Sequence, residues 1–137
     1  MSDSSDSDKP QAKNVTIPKQ PGYSKLKLLE WVNEKFDGYE LVNLEQISTG
    51  EAICVIMNQI FPGSIPSGSI NVGEIMEDRL RLANWKLFQH ACTQLKVDRQ
   101  LDVKDLVIGK PRDVLDFMQW FKLFYDANKE AKEPELI

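Results

Sequence analysis

The side chains able to do chemistry are few, and their spacing does not suit catalysis. The 137-residue chain has one histidine, His90, and two cysteines, Cys54 and Cys92. His90 and Cys92 stand two residues apart in a helical apolar pattern. Residues at that separation do not face each other on a helix, so they cannot form the adjacent nucleophile and base that covalent catalysis needs. Each cysteine lies among apolar residues and reads as a buried free thiol; a metal or disulfide framework would need more partners. The Asp and Glu residues are scattered along helix faces, without the ligand spacing of a calcium loop or a zinc cluster. Gly63 and Gly68 lack the Gly-Lys-Ser/Thr ending and leading strand of a phosphate loop. The sequence therefore predicts no enzyme, no metal and no cofactor, but a binding module.

What remains for binding is charge. The net charge is −4 and the pI near 5.0, which argues against a nucleic-acid partner, since such domains usually carry basic totals. The distribution is less uniform than the total. Lys9, Lys13, Lys19, Lys25 and Lys27 fall in a window, 9–29, that holds no Asp or Glu. Such a basic stretch on an acidic protein is a solvated tail or an arm suited to an acidic surface.

The elements that position these charges read as all-α. Residues 1–23 form an arm: a Ser/Asp run followed by Pro10, Pro18, Pro21 and Gly22 predicts disorder. Ser24 caps a first helix with Leu28, Leu29, Val32 and Phe36 on one face. Asn43 to Gln46 has the spacing of a capping box, and Glu51 to Phe61 is a largely buried helix ended by Pro62. Residues 77–96 form an amphipathic helix with Leu80, Ala83, Leu87, Ala91 and Leu95 as its stripe, flanked by Trp85, Phe88 and Cys92. Val97 to Ile108 reads as a connector. The stretch Gly109 to Asn128 is apolar almost all round, so it is buried on most sides. Its charged residues keep any uncharged run far below the roughly 20 residues a bilayer needs, so no membrane partner is expected. Pro111 suits the first turn of this helix, and Asp113 sits beside its positive end. Trp31, Trp85 and Trp120, in three separate helices, read as core.

Taken in order, Leu29-Glu-Trp-Val-Asn-Glu34, Leu44-Glu-Gln-Ile47, Gly50-Glu-Ala52, Phe61-Pro-Gly-Ser-Ile65 and Asn84-Trp-Lys86 form a recognisable series. It continues through Val97-Asp98, Asp105-Leu-Val107, Gly109-Lys110, Met118-Gln-Trp-Phe-Lys122 and Asp126-Ala-Asn128. In these residues the chain from Ser24 to Asn128 resembles the calponin-homology domain of the microtubule end-binding family, the plus-end trackers. The resemblance implies a compact helical bundle around a buried C-terminal helix. It also implies binding to the tubulin lattice between protofilaments, with regulation of microtubule dynamics in the cytoplasm and on the spindle during cell division. Carried over residue by residue, it points to Lys25, Arg99, Lys110 and Asp113 as microtubule-binding positions. Arg112 replaces a glutamine of the family and adds a charge to the same edge; Lys104 is displaced by one position from its counterpart.

Two departures bear on that expectation. The stretch after Phe61-Pro-Gly-Ser-Ile65, where family members carry lysines, has none here, and residues 24–128 hold 12 Lys/Arg against 15 Asp/Glu. The lysines of the arm, which joins the domain beside Lys25, are expected to supply contacts the loop has lost. The nine residues after Asn128 cannot form two heptads, so a monomer is expected, with dimerisation only through a downstream coiled coil. The competing expectation is a calponin-homology domain with another cytoskeletal, ciliary, centrosomal or kinetochore partner, or actin.

Overall fold

A computed structural model describes residues 11–18 and 22–129. Among them the elements run as α1 (Lys25–Lys35), a 3₁₀ helix (Leu44–Thr49), α2 (Glu51–Ile60), a short 3₁₀ turn (Ser67–Ser69), α3 (Asp78–Gln94), α4 (Val103–Ile108) and α5 (Pro111–Asn128), with no strand. Among the described residues, no helix is long and apolar enough to cross a membrane.

Local chemistry sets the boundaries. Ser24 Oγ accepts from Lys27 N at 3.1 Å and caps α1. Gln46 Oε1 accepts from Asn43 N and Val42 N at 3.0 and 2.6 Å, so the capping residue holds the entry to the 3₁₀ helix. Gly50, at φ +81°, turns the chain from that helix into α2. After Phe61-Pro62, the Asn58 amide accepts from Ile65 N at 2.9 Å and donates to Ile65 O at 2.8 Å, folding the loop back onto α2.

α5 is the post around which these elements pack. Val114, Phe117, Met118, Trp120, Phe121 and Phe124 are buried on it. Two tryptophans from other helices meet its aromatic face, Trp31 at 5.2 Å from Tyr125 and Trp85 at 5.2 Å from Phe117, and Trp120 on α5 itself stacks 4.9 Å from Phe124, between ring centroids. At these distances aromatic pairs add about 0.5–1.5 kcal/mol each beyond their buried area.

Three expectations are corrected. The buried face of α3 is Asn84, Trp85, Phe88, Ala91 and Cys92; Leu80 and Leu87 are only partly buried and Ala83 is exposed. The aromatic rings, larger than the leucines, take the contact with α5 and rotate the helix. The connector contains α4, a six-residue helix started by Asp102, whose Oδ1 accepts from Asp105 N, and buried through Leu106 and Val107. The arm, expected to be disordered over 1–23, is ordered where it is described at 11–18. Ala12 is buried and donates its N–H to Leu95 O at 2.9 Å. Buried Asn128 accepts from Lys13 N at 2.7 Å and donates to Lys13 O at 3.0 Å, as a neighbouring strand would. Asn14 donates to Lys96 O and accepts from Asp98 N. A composition reading of the arm misses this, because the partners are backbone groups left over at the end of α3 and one side-chain amide at the end of α5. The Ser/Asp run at 2–8 lies outside the described residues.

This strap gives a prediction. Asn128→Ala leaves the Lys13 peptide without partners and should cost about 1–3 kcal/mol. In native-state hydrogen exchange the Ala12 and Lys13 amides should lose protection while those of α2 keep it; retained protection at Lys13 would refute the anchoring.

Candidate functional site

The basic residues singled out in the sequence fall at three places. The first is the edge where the 3₁₀ helix meets the starts of α1 and α5. Lys25, the first residue of α1, pairs with Glu45 at 2.5 Å. This pair supports the start of α1 and lowers the Glu45 carboxyl, whose partial burial opposes the shift. On the other side of the same helix, Gly109 approaches Ser48 and the Glu45 carbonyl so closely that an added Cβ would lie 3.1 Å from Ser48 Cβ. With φ at +81° as well, this position favours glycine. Gly109 delivers Lys110 as the N-cap of α5, followed by Pro111 and Arg112 in its first turn. Lys110 and Arg112 are exposed, and no ion pair is recorded for either among the described residues. Lys25, Lys110 and Arg112 thus gather around one short helix.

The second place is interior. The Arg99 side chain is only 23% exposed, pairs with Asp116 at 2.7 Å and lies 5.4 Å from the centre of the Trp120 ring. Its guanidinium is spent on the fold and faces a depression shared with Asp102, Asp105, Asp113 and Asp116. Hydrogen bonding with Asp102 and the nearby Asp113 charge raise the Asp105 carboxyl. Asp113, in the first turn of α5, belongs to this acidic neighbourhood and favours the positive end of the helix. No group of three or more His, Cys, Asp or Glu among the described residues is arranged to hold a metal ion.

The third place is the outer groove between α3 and α4. Lys104 lines it together with Lys86, which the sequence reading passed over although it closes the Asn84-Trp-Lys86 motif. The pairing of Lys25 with Glu45 was likewise unread, because it depends on how a 3₁₀ turn, rather than an α-helix, directs Glu45.

The remaining polar chemistry is structural. Cys54 and Cys92 are buried free thiols, pushed up to about 12 by burial. Lys122 lies over the Tyr23 and Trp31 rings and pairs with Asp126 at 2.7 Å. His90 is exposed on α3.

The geometry has counterparts among known proteins. The family model described as calponin homology (CH) domain matches residues 23–130. A chain from a solved structure on the structural basis of microtubule plus-end tracking by XMAP215, CLIP-170 and EB1 is similar in fold. The TM-score is 0.72 at 26% sequence identity, over 77% of this chain and 88% of that chain.

Two predictions follow from these placements. Arg99→Ala removes a cation held over an indole and the burial of its stem, at about 1–2 kcal/mol. Asp116→Ala, which removes only the exposed partner, should cost less than about 0.5 kcal/mol. Equal losses in urea unfolding would show that the ion pair, not the ring contact, holds Arg99. For the thiols, the folded state keeps the proton to a higher pH than the unfolded state does. Their contribution to stability is therefore complete below the ordinary thiol pKa and falls as pH rises from there towards 12. Correspondingly, a thiol reagent at pH 8 should label both cysteines in denaturant and neither in buffer; rapid labelling of the native protein would contradict their burial.

Proposed function

The chain belongs to the calponin homology (CH) domain family, and from that premise we propose that it is a microtubule-binding module of the end-binding, plus-end-tracking type. The observation that carries the reading is its similarity, over most of both chains, to a chain from a structure on microtubule plus-end tracking. The charge at the start of α5 agrees with it. Tubulin's surface is acidic, and a binder needs exposed cations on a rigid edge, where they contribute attraction and orientation more than affinity. Lys110 and Arg112 supply them, at the first turn of a helix whose remainder is fixed in the core. Lys25 adds to the edge, although Glu45 already offsets its charge. Lys104, with Lys86, is a separate basic point on the outer groove. Arg99, held by Asp116 and Trp120, supports α5 and offers no free charge, and Asp113 sits at the positive end of that helix.

In this reading the module binds the lattice between protofilaments in the cytoplasm, and through it influences microtubule growth. The second reading is another cytoskeletal partner. The stretch from Phe36 to Asp78 contains no Lys or Arg, so one flank of the edge does not suit an acidic filament.

Lys110→Glu decides between them. It reverses a charge without touching the core, and a carboxylate at a helix N-terminus is itself favourable. Microtubule cosedimentation should weaken about tenfold, equivalent to roughly 1.4 kcal/mol, with unchanged helicity by circular dichroism, and the wild-type interaction should fade as salt rises. Absence of binding by the wild-type chain at low salt, with binding to actin filaments instead, would replace the first reading by the second.

A further inference from the structure

Outside α1, four large aliphatic side chains stand out into solvent: Ile75 is 96% exposed, Val42 77%, Val72 74% and Ile108 64%. They come from three separate segments that the fold ties into one surface. Tyr39 Oη donates to Gly73 O at 3.2 Å, Glu51 Oε1 accepts from Gly73 N at 2.9 Å, and Gln46 Nε2 donates to Glu74 Oε2 at 3.5 Å. The 72–76 loop is thereby laid against the entry to the 3₁₀ helix. Ile108 and Glu74 both border a cleft of about 230 Å³ edged by Glu45, Gln46 and Arg81. Single exposed aliphatic residues are ordinary, but several on segments tied together beside a polar cleft, which Ile108 itself lines, mark an interaction surface. β-Branched side chains, already restricted at χ1, also lose little freedom when they are covered.

The charges around this surface say what covers it. Lys25 is taken by Glu45 and Arg79 by Glu77. Arg81 donates from Nε to Met76 O at 3.0 Å and from Nη1 to Ser48 Oγ at 2.8 Å, so its fork faces the floor of the cleft. Glu40 and Glu74 are exposed and, among the described residues, carry no recorded ion pair. Arg81 keeps its charge in the cleft lining, but residues 36–78, which carry three of the four aliphatic side chains, hold seven Asp or Glu and no Lys or Arg, so the surroundings of the aliphatic knobs are acidic in sum. Such surroundings repel an acidic filament and an anionic lipid surface, and attract Lys and Arg.

We propose that this face is a second docking surface, distinct from the basic edge at Lys110, and that it takes a basic polypeptide segment with aliphatic or aromatic anchors. The module would then hold a filament at one edge and a basic protein segment at the adjoining face.

The test titrates the ¹⁵N-labelled full chain with two synthetic amphipathic peptides of identical leucine spacing, one bearing lysines and the other glutamates. The lysine peptide should shift the amides of Val42, Val72, Glu74, Ile75 and Ile108. Ile75→Ser should weaken it at least fivefold and Glu74→Lys at least tenfold, both with wild-type thermal unfolding, while the glutamate peptide should leave the spectrum unchanged. Shifts elsewhere, equal binding of both peptides, or unchanged affinity in both variants would overturn the proposal. A concentration-dependent dimer in sedimentation that Ile75→Ser abolishes would assign the face to a second copy instead. Microtubule cosedimentation of Ile75→Ser should match wild type; its loss would make this face part of the filament contact and end the proposal. Wild-type peptide binding without microtubule binding would leave it standing while refuting the filament reading.

Discussion

The backbone carbonyls at the end of the 3₁₀ helix are the groups on which the arrangement depends. A helix of this length, buried at its end, cannot satisfy its last carbonyls internally, and leaving them bare costs about 1–3 kcal/mol each. α3 supplies the missing donors from two consecutive residues. Trp85 Nε1 donates to Ser48 O at 2.9 Å, and Asn84 Nδ2 donates to Thr49 O at 3.0 Å. Asn84, fully buried, also accepts from Asn71 N at 2.8 Å and donates to Asn71 O at 2.9 Å, so one amide fixes the 3₁₀ helix and the loop after α2 together. Everything proposed for binding hangs from this clasp. Lys25 is positioned through Glu45, Lys110 through the close approach of Gly109 to Ser48, and the 72–76 loop through its seat beside Asn71.

α5 plays the complementary part. The clasp determines where its first turn lies, and the aromatic core determines that the rest cannot move. Because Phe117 and Phe121 are packed against rings from α1 and α3, and Trp120 and Phe124 are buried beside them on the same helix, displacing Lys110 would require repacking the interior. A charged edge carried on such a helix keeps its geometry, and little ordering cost remains to be met on binding. The strap works at the opposite end. With α5 spanning 18 residues, or about 27 Å at 1.5 Å per residue, Lys13 is anchored far from Lys110. Tyr23 in turn is tied to Gln119 midway along the helix. The arm therefore joins the domain along α5, and the described part of it does not extend the basic edge.

Much of this was legible because it is periodic or local. The all-round apolarity of 109–128 announced a buried post, and Ser24, Asn43-to-Gln46 and Pro111 marked helix starts that the fold uses. What stayed hidden involves groups with no periodic signature. Arg99 looks like any exposed cation until Trp120, 21 residues later, is brought beneath it. Ala12 and Asn128 are separated by most of the chain; Ala12 meets a carbonyl that the folded end of α3 leaves over, and the Asn128 amide meets the next peptide of the arm. The stripe on α3 was misread by a fraction of a turn, since counting apolar positions weights Leu80 and Ala83 equally with Trp85 and Phe88, whereas buried area does not. Candidate site residues fared similarly: their identities were readable, but which cations remain free depends on Glu45 and Asp116, contacts between separate elements.

A net charge of −4 is therefore a poor guide to what this surface attracts. Charges that face each other at 3 Å cancel for a partner more than a Debye length away, about 8 Å at physiological ionic strength. After the pairs at Lys25, Arg79, Arg99 and Lys122 are removed, the start of α5 is left with Lys110 and Arg112 against Asp113, and the neighbouring face with Glu40 and Glu74 against Arg81. The two signs lie on adjoining surfaces separated by one short 3₁₀ helix. On the proposed reading, an acidic filament would be drawn to the first and turned away from the second, which would fix the orientation in which it binds. On the same reading, the loop that lacks lysines has a physical consequence beyond weakened attraction: the aliphatic side chains beside it would stay uncovered with the basic edge engaged, and open to a partner of the opposite charge.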